Sequence, residues 1–132
     1  MAKDSLQTKL NKPLSVELVQ SMVPKNFKSS VSKELVDEVN RLAEEPDYGE
    51  EFKQNILTST SVLGGTNSKW SLAMYVDAVK YFSLTAAQMS QVDAYTAVFP
   101  DRLQNRLDRG ESKEDMRGEA SRYNNSELVN KI

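Results

Sequence analysis

The chain has 132 residues, 17 basic against 19 acidic side chains, a net charge of −2, and neither cysteine nor histidine. Without cysteine there are no disulfides and no thiolate metal sites; without histidine the commonest general base, the Ser-His-Asp triad and nearly every zinc site are excluded. The remaining carboxylates fall on solvated helix faces in no fixed motif, so the expectation is a single modest core, no enzyme, no metal and no cofactor.

No apolar run approaches the ~20 residues that span a bilayer, and the lysines of MAKDSLQTKLNK have no apolar signal core behind them. That pattern predicts a protein of the cytoplasm with no membrane partner. The near-neutral average conceals a polarity. Residues 1–33 carry six lysines against Asp4 and Glu17, whereas residues 34–51 carry eight acids against Arg41 alone. The acidic run is either the wet side of two helices or a face that meets the basic arm of another copy, and head-to-tail contacts of that kind close into rings when the rotation permits.

In chain order, residues 1–14 lack periodicity and hold Pro13, which predicts a mobile basic arm. Ser15 caps a short helix, VELVQSMV, that stops before Pro24, and a polar connector, KNFKSS, follows. Ser32 caps the next helix, in which Leu35, Val36, Val39, Leu42 and Ala43 share one face while Glu34, Asp37, Glu38 and Arg41 point away. Pro46 stops it. Glu44 and Glu45 lie in its last turn, where the helix dipole prefers cations, and so call for a positive partner elsewhere. A third helix from Asp47 or Tyr48 turns Phe52, Ile56 and Leu63 inward, and these first helices make an N-terminal unit over 15–63.

Gly64-Gly65-Thr66-Asn67 reads as a flexible hinge. The longest helical pattern runs from about Lys69 into the 80s, with Leu72, Tyr75, Val76, Val79 and Phe82 in one apolar stripe and Asp77 and Lys80 outward. Trp70 is either a core plug or a base-stacking platform. Ser90 with Asp93 resembles a capping box for a short helix, Gln91–Phe99, which Pro100 ends. Asp101 then caps RLQNRLDR, which stops at Gly110; Ser112 with Asp115 opens KEDMRGEASRY, and SELVNKI is a final turn or two. Nothing alternates long enough for a strand, so the fold class is all-α: a small multi-helix bundle with a helix-turn-helix-like unit over 68–110 and a helical tail over 111–132.

A helix, a turn at 87–90 and a short second helix have the helix-turn-helix arrangement, in which the second helix offers its N-terminal side chains to the major groove. Its exposed reader positions are then Gln91, Asp93, Thr96 and Ala97. Lys80, Arg102, Arg106 and Arg109 would neutralise phosphates. Ordinary bundles also contain such pairs, and two of the arginines have local alternatives: Arg106 with Asp101 or Asp108, and Arg109 with the carboxyl end of its own helix.

SQVDAYTAVFPD, preceded by YVDAVKYFSL, resembles the helix-turn-helix segment of bacteriophage small terminase subunits, on Ser90, Ala94, Tyr95, Phe99 and Pro100. LDRGESKEDMRGEASRYNNSELVNKI is similar to the region that follows in some phage packaging proteins. The resemblance implies a non-enzymatic DNA-packaging subunit in an infected bacterial cell. Such a subunit binds double-stranded DNA, self-associates into a ring and works with a large terminase subunit. The chain departs from that pattern in placing the motif mid-chain and in a reader helix that is not basic. On this reading Lys80, Gln91, Thr96, Arg102, Arg106 and Arg109 contact DNA, helped by Lys3, Lys9, Lys12, Lys25 and Lys28. Glu44, Glu45, Glu50 and Glu51 contact another copy or a partner. The alternative is a helical virion, connector or host-interaction protein that binds only protein.

Overall fold

Five helices begin on a serine held in extended conformation, whose hydroxyl accepts the backbone N–H three residues on: Ser15, Ser32, Ser71, Ser90 and Ser126. Each satisfies one of the amide donors that a helix start leaves orphaned. The computed structural model describes residues 13–64 and 70–132. Its helices are α1 (Val16–Met22), α2 (Lys33–Ala43), α3 (Gly49–Thr58), α4 (Leu72–Ala86), α5 (Gln91–Val98), α6 (Pro100–Asp108), α7 (Arg117–Asn124) and α8 (Glu127–Lys131), with 3-10 turns at Lys25–Ser30, Thr60–Gly64 and Lys113–Met116. No strand occurs among the described residues, and the fold is all-α. No helix there is long and apolar enough to cross a membrane.

The core consists of two apolar clusters with α4 as their common spine. Leu72, Tyr75, Val76 and Val79 of α4 join α1, α2 and α3 in the first cluster, where Phe52 is fully buried. Ala78, Tyr81 and Leu84 belong to the second, with Ala94, Tyr95 and Val98 of α5, Ala120 of α7, and Leu128 and Val129 of α8. A helix buried on two sides carries apolar residues nearly all round, so the single stripe expected for α4 is half of what it buries. Complete burial of a side chain such as Phe52 stabilises by roughly 1.5–3 kcal/mol, which makes each cluster an anchor for its own set of helices.

Several local expectations are corrected by long-range packing. Leu14, expected in the mobile arm, is buried, and its backbone N–H and C=O are both bonded to the Asn40 side chain at 2.8 and 2.9 Å. KNFKSS is a 3-10 turn that buries Phe27. Asp101 does not cap α6: Pro100 occupies the first helical position, where its missing N–H costs nothing, and Phe99 precedes it with no side-chain cap. KEDMRGEASRY is a 3-10 turn followed by α7, with the Ser112–Asp115 capping box in place. The tail is packed together with the helix-turn-helix unit, since Met116 and Ala120 are almost wholly buried in the second cluster. Trp70 is half-buried against that cluster, with the Lys131 ammonium 5.4 Å from its ring centre. Residues 1–12, with Lys3, Lys9 and Lys12, and residues 65–69 of the expected hinge lie outside the described residues.

Candidate macromolecule-binding surfaces

The corner between α4 and α5 forms as two helices joined by a tight turn. Met89 N–H bonds the Leu84 carbonyl at 3.1 Å and Gln88 N–H the Thr85 carbonyl at 3.0 Å, the paired reverse bonds of a Schellman ending. Gln88 stands at φ 73, where glycine is usual. Ser90 then caps α5, accepting from the Asp93 N–H at 3.2 Å.

What α5 shows to solvent is small. Ala94, Tyr95, Thr96 and Val98 are buried, and α7 and the 113–116 turn pack across the helix. Thr96, expected as a base reader, is turned inward: its hydroxyl donates to its own helix, 2.9 Å from the Val92 carbonyl. Asp93 pairs with Lys113 at 2.5 Å, and that ammonium holds its carboxyl below the usual aspartate range. Gln91 remains exposed, on a shallow groove shared with Lys113, Glu114, Arg117 and Ser121. Lys80 is half-buried, its Nζ 3.4 Å from the Ala97 carbonyl.

The three arginines that follow are engaged by their own chain. Arg102 donates to the Tyr95 hydroxyl at 2.7 Å and lies 4.1 Å above the centre of the Phe99 ring. Phe99, Tyr95, Tyr81 and Tyr123 form an aromatic cluster, their edge-to-face and tilted contacts spanning 5.0–5.6 Å between ring centres. Burial pushes the Tyr123 phenol well above the ordinary tyrosine range. Arg106 bonds Glu111 at 2.9 Å and also pairs with Glu119, while Arg109 reaches the other oxygen of Glu111 at 3.2 Å. The partners weighed from spacing, Asp101 and Asp108, are not used; Asp108 instead accepts from Gln104 at 2.8 Å. Gly110, at φ 82, reverses the chain so that Glu111 falls beneath Arg106, which makes that partner legible in hindsight. Glu119 comes from a different helix, and nothing local signals it.

The N-terminal unit treats its charge the other way. Arg41 is held in a bidentate pair by Glu38, at 2.6 and 2.9 Å, and the guanidinium keeps that carboxyl below the usual glutamate range. Glu44, Glu45, Asp47, Glu50 and Glu51 form no ion pair with any described residue. All but the half-buried Glu45 are exposed. A shallow groove runs along this corner, lined by residues 46–51 with Gln54 and Asn55. Asn55 keeps a buried amide Nδ2 with no hydrogen-bond partner among the described residues. Gly49, to which the sequence alone assigned no role, shapes the corner: a Cβ there would lie 2.3 Å from the Ala43 carbonyl oxygen. On the same unit Lys25, Lys28 and Lys33 are exposed and likewise form no ion pair with a described residue.

No group of His, Cys, Asp and Glu side chains that would hold a metal ion occurs among the described residues. Comparison with protein-family models, curated proteins and solved structures finds no match.

Proposed function

We propose that the chain is a non-enzymatic helical subunit that acts by assembling with copies of itself. The acidic corner between α2 and α3 of one copy meets Lys25, Lys28 and Lys33 of the next. One observation carries this reading. The cations of 102–113, Arg102, Arg106, Arg109 and Lys113, are engaged internally and leave Arg117 and Arg122 as isolated exposed cations, whereas the N-terminal unit groups charges of both signs with no ion-pair partner among the described residues. Two different surfaces on one subunit make a heterologous contact, which yields a ring or a filament according to its rotation. Exposed ion pairs are individually weak and easily screened, so assembly built on them is salt-sensitive. Sedimentation across a salt series tests it. The expected result is a mass well above the 14.9 kDa monomer at about 50 mM salt, falling toward it near 1 M. A monomer at every salt concentration overturns the reading. Such a subunit fits a virion, connector or host-interaction protein that binds only protein.

A second reading rests on the α4–α5 corner: a DNA-packaging subunit, similar to phage small terminase subunits, that binds duplex DNA and works with a large terminase subunit. Gln91, Arg102 and Arg109 are its outward contacts. Duplex retardation that falls steeply with added salt supports it. No retardation at low salt removes it.

A further inference from the structure

Every described α-helix except α6 contains a buried residue. Leu103 of α6 is half-buried, and Leu107 is 46% exposed. Leu103 packs at the edge of the second cluster, and the polar attachments of α6 are Arg102 on Phe99 and the Tyr95 hydroxyl, and Arg106 on Glu111 and Glu119. The helix is also bounded by two pivots. Phe99 ends α5 and starts α6 with non-helical backbone at φ −121 and ψ 64. Gly110 follows at φ 82, with open space where a Cβ would be.

We propose that α6 is a strap latched by arginine, which swings out about Phe99 and Gly110 when an oxyanion competes with Glu111 and Glu119 for Arg106. A helix whose core contact is the half-buried Leu103 has less apolar burial to lose on opening than its neighbours, so it opens locally at a lower cost than global unfolding. A guanidinium takes two oxygens of a phosphate in the same forked geometry that it uses for a carboxylate, which identifies the competitor by chemistry. Release frees Arg106 and uncovers the aromatic faces beneath Arg102. The proposal goes beyond self-assembly through the N-terminal unit, with which it shares no residue.

Amide hydrogen exchange on the full chain tests it, in inorganic phosphate and in sodium chloride of equal ionic strength. In phosphate the 101–109 amides exchange at least about tenfold faster than in chloride, while the α4 amides keep their rate. Glu111→Gln with Glu119→Gln opens α6 without phosphate. Arg106→Gln opens it too and abolishes the phosphate effect, a result that a merely structural role does not give. Equal rates in the two salts overturn the proposal. So does acceleration that spreads equally to α4 in the variants, since that marks general destabilisation.

Discussion

Gly49→Ala inserts one methyl group where the backbone of α2 already lies. An ideal Cβ falls 2.3 Å from the Ala43 oxygen, 2.7 Å from its carbonyl carbon and 3.0 Å from the Leu42 oxygen. Ordinary contact needs at least 3.4 Å, so backbone must retreat from backbone by about 1 Å, against the Gly49 N–H bond to the Glu45 carbonyl at 2.8 Å. Overpacking typically costs about 1–3 kcal/mol, and the upper end applies because no flexible side chain can yield. The better helix propensity of alanine returns up to about 1 kcal/mol, leaving a net loss of about 2 kcal/mol. For a domain of this size that lowers the melting temperature by roughly 5–10 °C. Urea unfolding followed by far-UV circular dichroism measures it. The control is Gly118→Ala in α7, where the added methyl meets only the Arg122 guanidinium at 3.4 Å and the propensity gain, up to about 1 kcal/mol, is kept. An unfolding midpoint for Gly49→Ala equal to or above the parent refutes the steric argument.

Tyr75→Phe removes a buried hydroxyl that donates to the Ile56 carbonyl at 2.8 Å and ties α4 to α3; the expected loss is about 1 kcal/mol in the same urea assay. Burial pushes the Tyr75 and Tyr123 phenols well above their ordinary range. Their folded pKa values therefore exceed the unfolded value of about 10, the stability they support is complete below that pH, and it declines as pH rises further. Spectrophotometric titration should accordingly find these two phenols un-ionised in the folded chain above about pH 10, ionising only as the chain unfolds. Ser90→Ala removes the cap of α5 and costs about 1 kcal/mol by thermal melting.

Most helices were legible because their signals are local. Serine caps, proline stops and a three-to-four-residue apolar step place α1, α2 and α5 to within a residue or two; α4, expected from about Lys69, starts at Leu72 behind the Ser71 cap, which the apolar step alone does not mark. Local chemistry also marked the corner before α5, although Gln88 supplies the left-handed residue where a glycine would have announced it. What was not legible depends on a helix that returns from far along the chain. How much of α5 faces solvent is decided by α7 and the 113–116 turn, which pack across it, the turn offering Lys113 to Asp93. The arginines posed the same difficulty, since the net charge counts guanidinium groups but not whether Glu119 lies beneath one of them. Glu44, Glu45, Glu50 and Glu51 stood out from charge alone, yet the role of Gly49 in joining their two helices is a matter of close approach that no periodicity reveals.

Self-assembly through complementary charge is tested most directly by mixing two charge-reversed variants, Glu50→Lys/Glu51→Lys and Lys25→Glu/Lys28→Glu, and measuring mass by light scattering. Each variant alone sets like charge against like and should remain monomeric, whereas the equimolar mixture restores both contacts and should assemble at low salt. Variants that assemble alone as the parent does, or a mixture that stays monomeric, would contradict the account.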